Sequence, residues 1–341
     1  MKRILFVAAV SALLATTATT ASAQGRATQC PTSTSSTNSA YYTADACEKA
    51  IDLFSYMAPQ LGTAIAGGSA VMGKGGTLGG LGHFSIGARV NAVNGSLPQI
   101  MEGDARPTTG GAQQDNYRTE SQVVPMPVVD AAIGVFKGIP LGVTNVGGID
   151  LLANVSYMRD FESNGVSVAL RDEGLRFGYG ARVGLLQESL VSPGISVSYI
   201  KRDLPVVNIL GSVDNYEVNV NEVDVQTSAW RVTASKNLLV FGVMLGAGQD
   251  LYESSATAVG RATGLATLPG GITTAESAPV DLEQSLTRTN IFGGITLNMA
   301  MFKLAAEIGQ VSGGEILTYN TFDKKPDSSR LYGSLGLRFG L

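Results

Sequence analysis

From residue 84 to the C-terminus, apolar and polar side chains alternate along the chain. This is the period-two signature of strands whose two faces meet different surroundings. The closing stretch carries it most plainly: Leu331, Gly333, Leu335, Leu337, Phe339 and Leu341 fall on one face. Tyr332, Ser334, Gly336, Arg338 and Gly340 fall on the other. The same rhythm predicts ten strands, over 84–91, 129–136, 149–158, 175–185, 195–199, 229–235, 239–248, 290–299, 302–309 and 331–341. In each, one face is greasy and the other is mostly small, polar or charged, though Phe136, Leu152, Met158, Val240 and Met244 also fall on that second face. The second strand, for example, sets Val129, Ala131, Ile133 and Val135 against Asp130, Ala132, Gly134 and Phe136.

The links between these segments sort by length. Working back from Leu341, links at 299–301, 236–237, 187–194 and 138–146 are short. Those at 93–127, 159–173, 202–223, 250–285 and 312–329 are long. Short turns on one side and long loops on the other are expected of a membrane-spanning antiparallel barrel, with the short turns periplasmic and the long loops extracellular. A soluble sandwich has no reason to sort its loops this way. The expected fold is therefore all-β: a transmembrane antiparallel β-barrel of about ten strands. The long links leave room for twelve or fourteen, since Tyr216 to Val220 also alternates.

The first 82 residues read differently. Residues 1–23 have the form of a secretory signal: Lys2 and Arg3, an apolar run from Ile4 to Leu14, then Ala21-Ser22-Ala23 as a cleavage site. Residues 24–42 are rich in Ser and Thr and read as a flexible lead. Asp45 followed by Glu48 has the look of a capping pair. Cys47, Ile51, Phe54, Ala58, Leu61 and Ile65 then recur at helical spacing, with a bend expected at Pro59. Gly67 to Gly82 is so glycine-rich that it suits tight turns inside a narrow space. The expected division is a signal at 1–23, a lead, helix and plug at 24–82, and a barrel at 83–341. The N-terminus and its helical segment are expected on the periplasmic side, entering or capping the lumen.

Composition agrees with a lipid-wetted exterior. Hydrophobic residues make up 44% of the 341 and charged residues only 15%, against about 25% charged in a soluble domain. The net charge of −4 and the lack of a basic tract argue against a nucleic-acid partner. Cys30 and Cys47 follow the signal and are expected to pair in an oxidising compartment, the alternative being two free thiols. With one histidine, His83, and two cysteines, neither a metal site nor a catalytic dyad is expected, and no cofactor motif is present. The loop acids Glu102, Asp104, Asp115, Glu120, Asp250 and Glu253 read as solvated charge before calcium ligands.

The inward faces collect Arg89, Asp130, Asp150, Arg176, Arg182, Arg231, Lys303, Glu307 and Arg338. These are the candidate lumen-lining residues. They read first as an ion-pair network filling a narrow barrel, and second as a constriction that favours anions.

The dyad strands, the leader and the ending Leu337-Arg-Phe339-Gly-Leu341 resemble bacterial outer-membrane β-barrels as a class. That resemblance implies outer-membrane lipid and lipopolysaccharide as surroundings and the barrel-assembly machinery as a partner during insertion. Leu61-Gly-Thr-Ala-Ile-Ala-Gly-Gly-Ser-Ala-Val-Met72 is similar in style to the N-terminal hatch of long-chain fatty-acid outer-membrane transporters, without the Asn-Pro-Ala step of that family. The functional expectation is passive transport of a small or hydrophobic solute through a partly plugged lumen, and not an enzyme. The alternative is a non-transporting surface protein that acts through its long loops.

Overall fold

A computed structural model describes residues 30, 38–99, 112, 114–163, 165–213, 216–263, 274–299 and 301–340. The expected signal, most of the lead, Glu102, Asp104 and Leu341 lie outside the described residues. One helix, α1 (Asn38–Ala66), precedes ten barrel strands. These are β1 (Phe84–Pro98), β2 (Thr119–Phe136), β3 (Gly148–Tyr157), β4 (Leu175–Leu186) and β5 (Gly194–Asp203), then β6 (Tyr216–Leu238), β7 (Phe241–Thr263), β8 (Val280–Met299), β9 (Phe302–Ser312) and β10 (Arg330–Gly340). Each pairs antiparallel with its sequence neighbours, and β1 pairs with β10 from Ser85↔Gly340 to Val93↔Tyr332. The sheet is thus closed, which removes its edges.

Outward side chains of the closed sheet form an apolar belt. Phe177 is 72% exposed and Leu245 71%, and Ile86, Ile133, Leu151, Ile295, Ile308 and Leu335 are exposed beside them. Only hydrocarbon makes such a surface favourable, so the belt marks the membrane-spanning zone. On β6, β7 and β8 the belt covers only the part near the short turns. Strands of 23, 23 and 20 residues are about twice the 9–11 needed to cross.

Beyond the belt the pattern inverts. Asn219, Glu253, Asp281 and Glu283 face outward, while Val218, Val220, Val225, Ala258, Val280 and Leu282 are buried facing in. The strands Val207–Val213, Val166–Leu170 and Phe161–Ser163 extend this sheath beside β6. Together they wrap the first half of α1, where Ala50, Leu53, Phe54 and Met57 complete an apolar core.

The path of the plug follows from its contacts. Ala46 and Cys47 of α1 sit against Gly260, near the long-loop end of β7, where any Cβ would strike the helix backbone. Further along, Gln60 bonds Ser96 high on β1, and the segment after α1 descends past Glu307, Ser235 and Asp150 to the short-turn mouth. The helix therefore lies inside the barrel, with its N-terminal end among the long loops. Short turns and helix N-terminus occupy opposite mouths, so the two expectations that both are periplasmic cannot hold together.

Four local readings are corrected. The helix begins at Asn38, so Asp45 is no cap; it pairs with Lys49 one turn on, at 2.9 Å. Pro59 lies within the unbroken helical span. Lys236 and Asn237 belong to β6, and the turn falls at Leu239–Val240, with Leu239 at φ 54°. A bulge between Gly134 and Phe136 turns Phe136 outward, where it is exposed.

The belt boundary is testable. Ile295→Arg, on the belt of β8, is expected to lower stability by about 2–4 kcal/mol in lipid. Glu283→Arg, outward on the same strand above the belt, is expected to change it by less than about 0.5 kcal/mol. Urea unfolding of the two variants in bilayers measures both.

Candidate functional site: the plugged lumen

A helix that stops in a closed interior leaves its last carbonyls without partners and carries partial negative charge at that end. Three inward arginines meet these carbonyls. Ala66 O accepts from Arg202 Nη1 at 2.9 Å and from Arg231 Nη2 at 2.5 Å. Arg89 Nη1 and Asn91 Nδ2 donate to Gly67 O at 2.9 and 2.8 Å. Gly68 O takes further donation from Arg231 and Arg202, at 3.2 and 3.4 Å. Gly68 has φ +73°, and a side chain there would collide with Arg89 and Asn91, so the site needs glycine.

Two of the arginines are balanced by buried acids. Asp130 accepts from Arg89 Nε at 2.5 Å, and Asp250 from Arg231 Nη2 at 3.1 Å. Asn290 Nδ2 also donates to Asp250, at 2.9 Å. Arg231 stacks over Phe292, 5.6 Å from the ring centroid. Lower down, Arg182 grips Asp150 through Nη2 at 2.6 Å and Nε at 3.0 Å, while its Nη1 reaches Lys74 O at 3.0 Å. Glu307 accepts from Ser69 N and from Tyr332 Oη.

Of the nine candidate lumen residues, Arg89, Asp130, Asp150, Arg182, Arg231 and Glu307 thus surround the plug. Lys303 and Arg338 face inward near the short-turn mouth. Arg176 is inward only at the long-loop end of β4, half-exposed, 3.6 Å from Asp172 and away from the plug. Arg202 and Asp250 escaped the periodicity because both were assigned to long links. Asp250 is corrected from a solvated loop acid to a fully buried partner of Arg231. Glu253 stands on β7, exposed and facing out.

At the long-loop end the plug is tied to its surroundings by polar contacts. Asp52 accepts from Tyr319 N at 2.9 Å, Asn320 N at 2.7 Å and Asn320 Nδ2 at 2.7 Å. Burial pushes its carboxyl up to about 6, against these three donors, which pull it down. Tyr56 Oη bonds Ser96 Oγ at 2.7 Å, and its ring lies 4.9 Å from that of Phe322. Cys30 and Cys47 are joined by a disulfide, with Cα atoms 5.8 Å apart. Among the described residues, three cavities beside the plug measure about 20, 10 and 30 Å³, room for between about one and three water molecules.

Among protein-family models and curated proteins, none matches this chain. Solved structures similar to it include the β-domain of the Bordetella autotransporter BrkA, with 13% identity over 75% of this chain and 98% of that one, at a TM-score of 0.30. The attachment invasion locus protein Ail of Yersinia pestis shares 12% over 76% and 97%, at 0.23. The toluene transporter TodX of Pseudomonas putida shares 10% over 76% and 88%, at 0.26. Likeness at this level carries no argument about what the chain does. The barrel itself rests on strand closure and the apolar belt.

Two expectations follow from the site. Arg231→Met leaves Asp250 buried beside Asn290 alone, a loss of about 3–5 kcal/mol. Arg202→Met strands no acid, and its two carbonyls still accept from Arg231, so the loss is the smaller one of about 1–3 kcal/mol for its charge-assisted bonds, and unfolding in micelles ranks the two. For Asp52 the folded carboxyl binds its proton more tightly than the unfolded one, so its contribution is greatest below pH 4 and declines as pH rises through 6. The stability gap between the native protein and Asp52→Ala is expected to narrow by on the order of 2–3 kcal/mol between pH 4 and 7.

Proposed function

We propose that this is an outer-membrane barrel held closed by its own N-terminal segment, with a surface role carried by its long-loop mouth. The single observation that supports it most is the character of the plug. Leu53, Phe54, Met57, Leu61 and Ile65 are buried almost completely within the barrel and its sheath. Each is worth about 1.5–3 kcal/mol in such surroundings, so withdrawal of α1 into water would cost on the order of 10 kcal/mol. That is a core, not a door. Short turns face the periplasm in this reading, and the loops, the sheath above the belt and the start of α1 face outward. Outer-membrane lipid and lipopolysaccharide surround it, and the barrel-assembly machinery inserts it.

Passive transport of a small or hydrophobic solute is the second reading. The observation that favours it is the lower plug, Gly67 to Gly82, which is irregular, buries only a small apolar cluster around Val71 and Leu78, and is otherwise held by polar contacts that water can replace.

Planar-bilayer recording separates the two. The full-length protein is expected to give no conductance steps up to ordinary holding potentials, whereas a variant lacking residues 24–82 gives stable openings. Steps from the intact protein would overturn the closed-barrel reading and favour transport. An epitope placed after Gln24 is expected to bind antibody on intact cells; binding only after permeabilisation would reverse the orientation.

A further inference from the structure

The short-turn mouth of the lumen holds more positive charge than its acids neutralise. Lys303 and Arg338 are direct cross-strand partners on β9 and β10, both on the inward face. Like charges placed so are unfavourable unless something sits between them. Lys74 of the plug lies within electrostatic reach of both, and of Arg182.

Of the two acids nearby, Asp150 is neutralised by Arg182, and Glu188 offsets Lys303 only from a distance, outside ion-pair contact. Asp150 is held by Arg182 and by Leu78 N, the latter at 3.0 and 3.1 Å. Glu188 accepts from Asn237 N at 2.5 Å and from Asn237 Nδ2 at 2.8 Å. Among the described residues no acid forms an ion pair with Lys74, Lys303 or Arg338. Arg338 is only 8% exposed, and its Nη1 is buried with no acceptor. A guanidinium planted there with a nitrogen unanswered is a group lacking its partner.

The geometry points to an anion site at this mouth, formed by Arg338, Lys303 and Lys74, that takes a phosphate-type oxyanion. One guanidinium fork and two ammonium groups match the several oxygens and multiple charge of such a group better than a single carboxylate. Arg338 would supply the directional contacts, and Lys303, half-exposed near the start of β9, meets the ligand first. The phosphate belongs either to a free anion or to a lipid headgroup at that face of the membrane. Neither source depends on whether the barrel transports anything.

Calorimetric titration of the full-length protein in zwitterionic micelles with inorganic phosphate tests this, with chloride holding ionic strength constant so that general screening and salting effects cancel. Saturable binding near one per chain is expected, weakened at least tenfold by Lys303→Gln. Arg338→Lys, which keeps the charge but loses the fork, is expected to weaken it as well; should that variant fail to fold, Lys74→Gln serves instead. Saturable phosphate binding that is unchanged in Lys303→Gln overturns the site. In a parallel arm the protein is released from nanodiscs containing phosphatidylglycerol and phosphatidylcholine and weighed intact. Retention of phosphatidylglycerol that depends on Lys303 names the headgroup as ligand; phosphate binding without retention names the free anion; the absence of both overturns the proposal.

Discussion

The carbonyls of Ala66, Gly67 and Gly68 are the point on which the interior is organised. A helix ending in water would leave them to solvent, but here the strands around them are backed by hydrocarbon. Arg89, Arg202 and Arg231 replace that solvent. Buried guanidinium groups demand their own compensation, which brings Asp130 and Asp250 to the lumen and then Asn290 to Asp250. The helix dipole supplies part of the balance for Arg202, which among the described residues is the one arginine of the three without an ion-paired acid. Polar residues on β1, β2, β5, β6, β7 and β8 are in this sense fixed by where one helix stops.

A second constraint runs along the strands. Within the belt, lipid outside and a polar plug inside put the apolar residues outward, as at Ile291, Ile295 and Leu297 on β8. Past the belt the outside is water and the inside is the apolar flank of α1, so Val280, Leu282 and Leu286 turn inward on the same strand. One strand thus carries two phases of the same alternation. The change of phase marks the membrane surface more sharply than any single residue.

That change also explains what could be read from the chain alone. The ten strands, their order and most inward charges were legible because lipid enforces strict alternation over the belt. Sheath residues such as Val218, Val220, Val223 and Val225 alternate just as clearly, but with the opposite face apolar. A reading tuned to outward grease stops at the belt and places Arg202 and Asp250 in loops. Helix α1 was legible as amphipathic, yet Asp52, Gln60 and Thr63 on its other face are buried too. Enclosure on all sides is signalled instead by its small residues, Ala44, Ala46, Ala50, Ala58, Gly62, Ala64 and Ala66, which let strands approach. Which mouth the helix enters is not encoded in periodicity at all; it depends on pairings such as Asp52 with the 319–320 backbone, 267 residues or more away.

The seam of the barrel and the seat of the plug are one structure. β1 and β10 come from opposite ends of the sheet, so theirs is the pairing with the greatest loop-closure cost. Asn91 of β1 donates to Gly67 O, and Ser334 of β10 bonds Asn91 Oδ1 at 2.7 Å. Tyr332, also on β10, packs beside Gly67. Contacts to the plug therefore reward the seam where the ring has to close. A barrel closed without the plug would leave Asn91, Arg89 and Arg231 facing each other across an empty lumen. Seating the helix and joining the first strand to the last are coupled on these grounds, and a plug coupled to ring closure is poorly suited to leaving the ring.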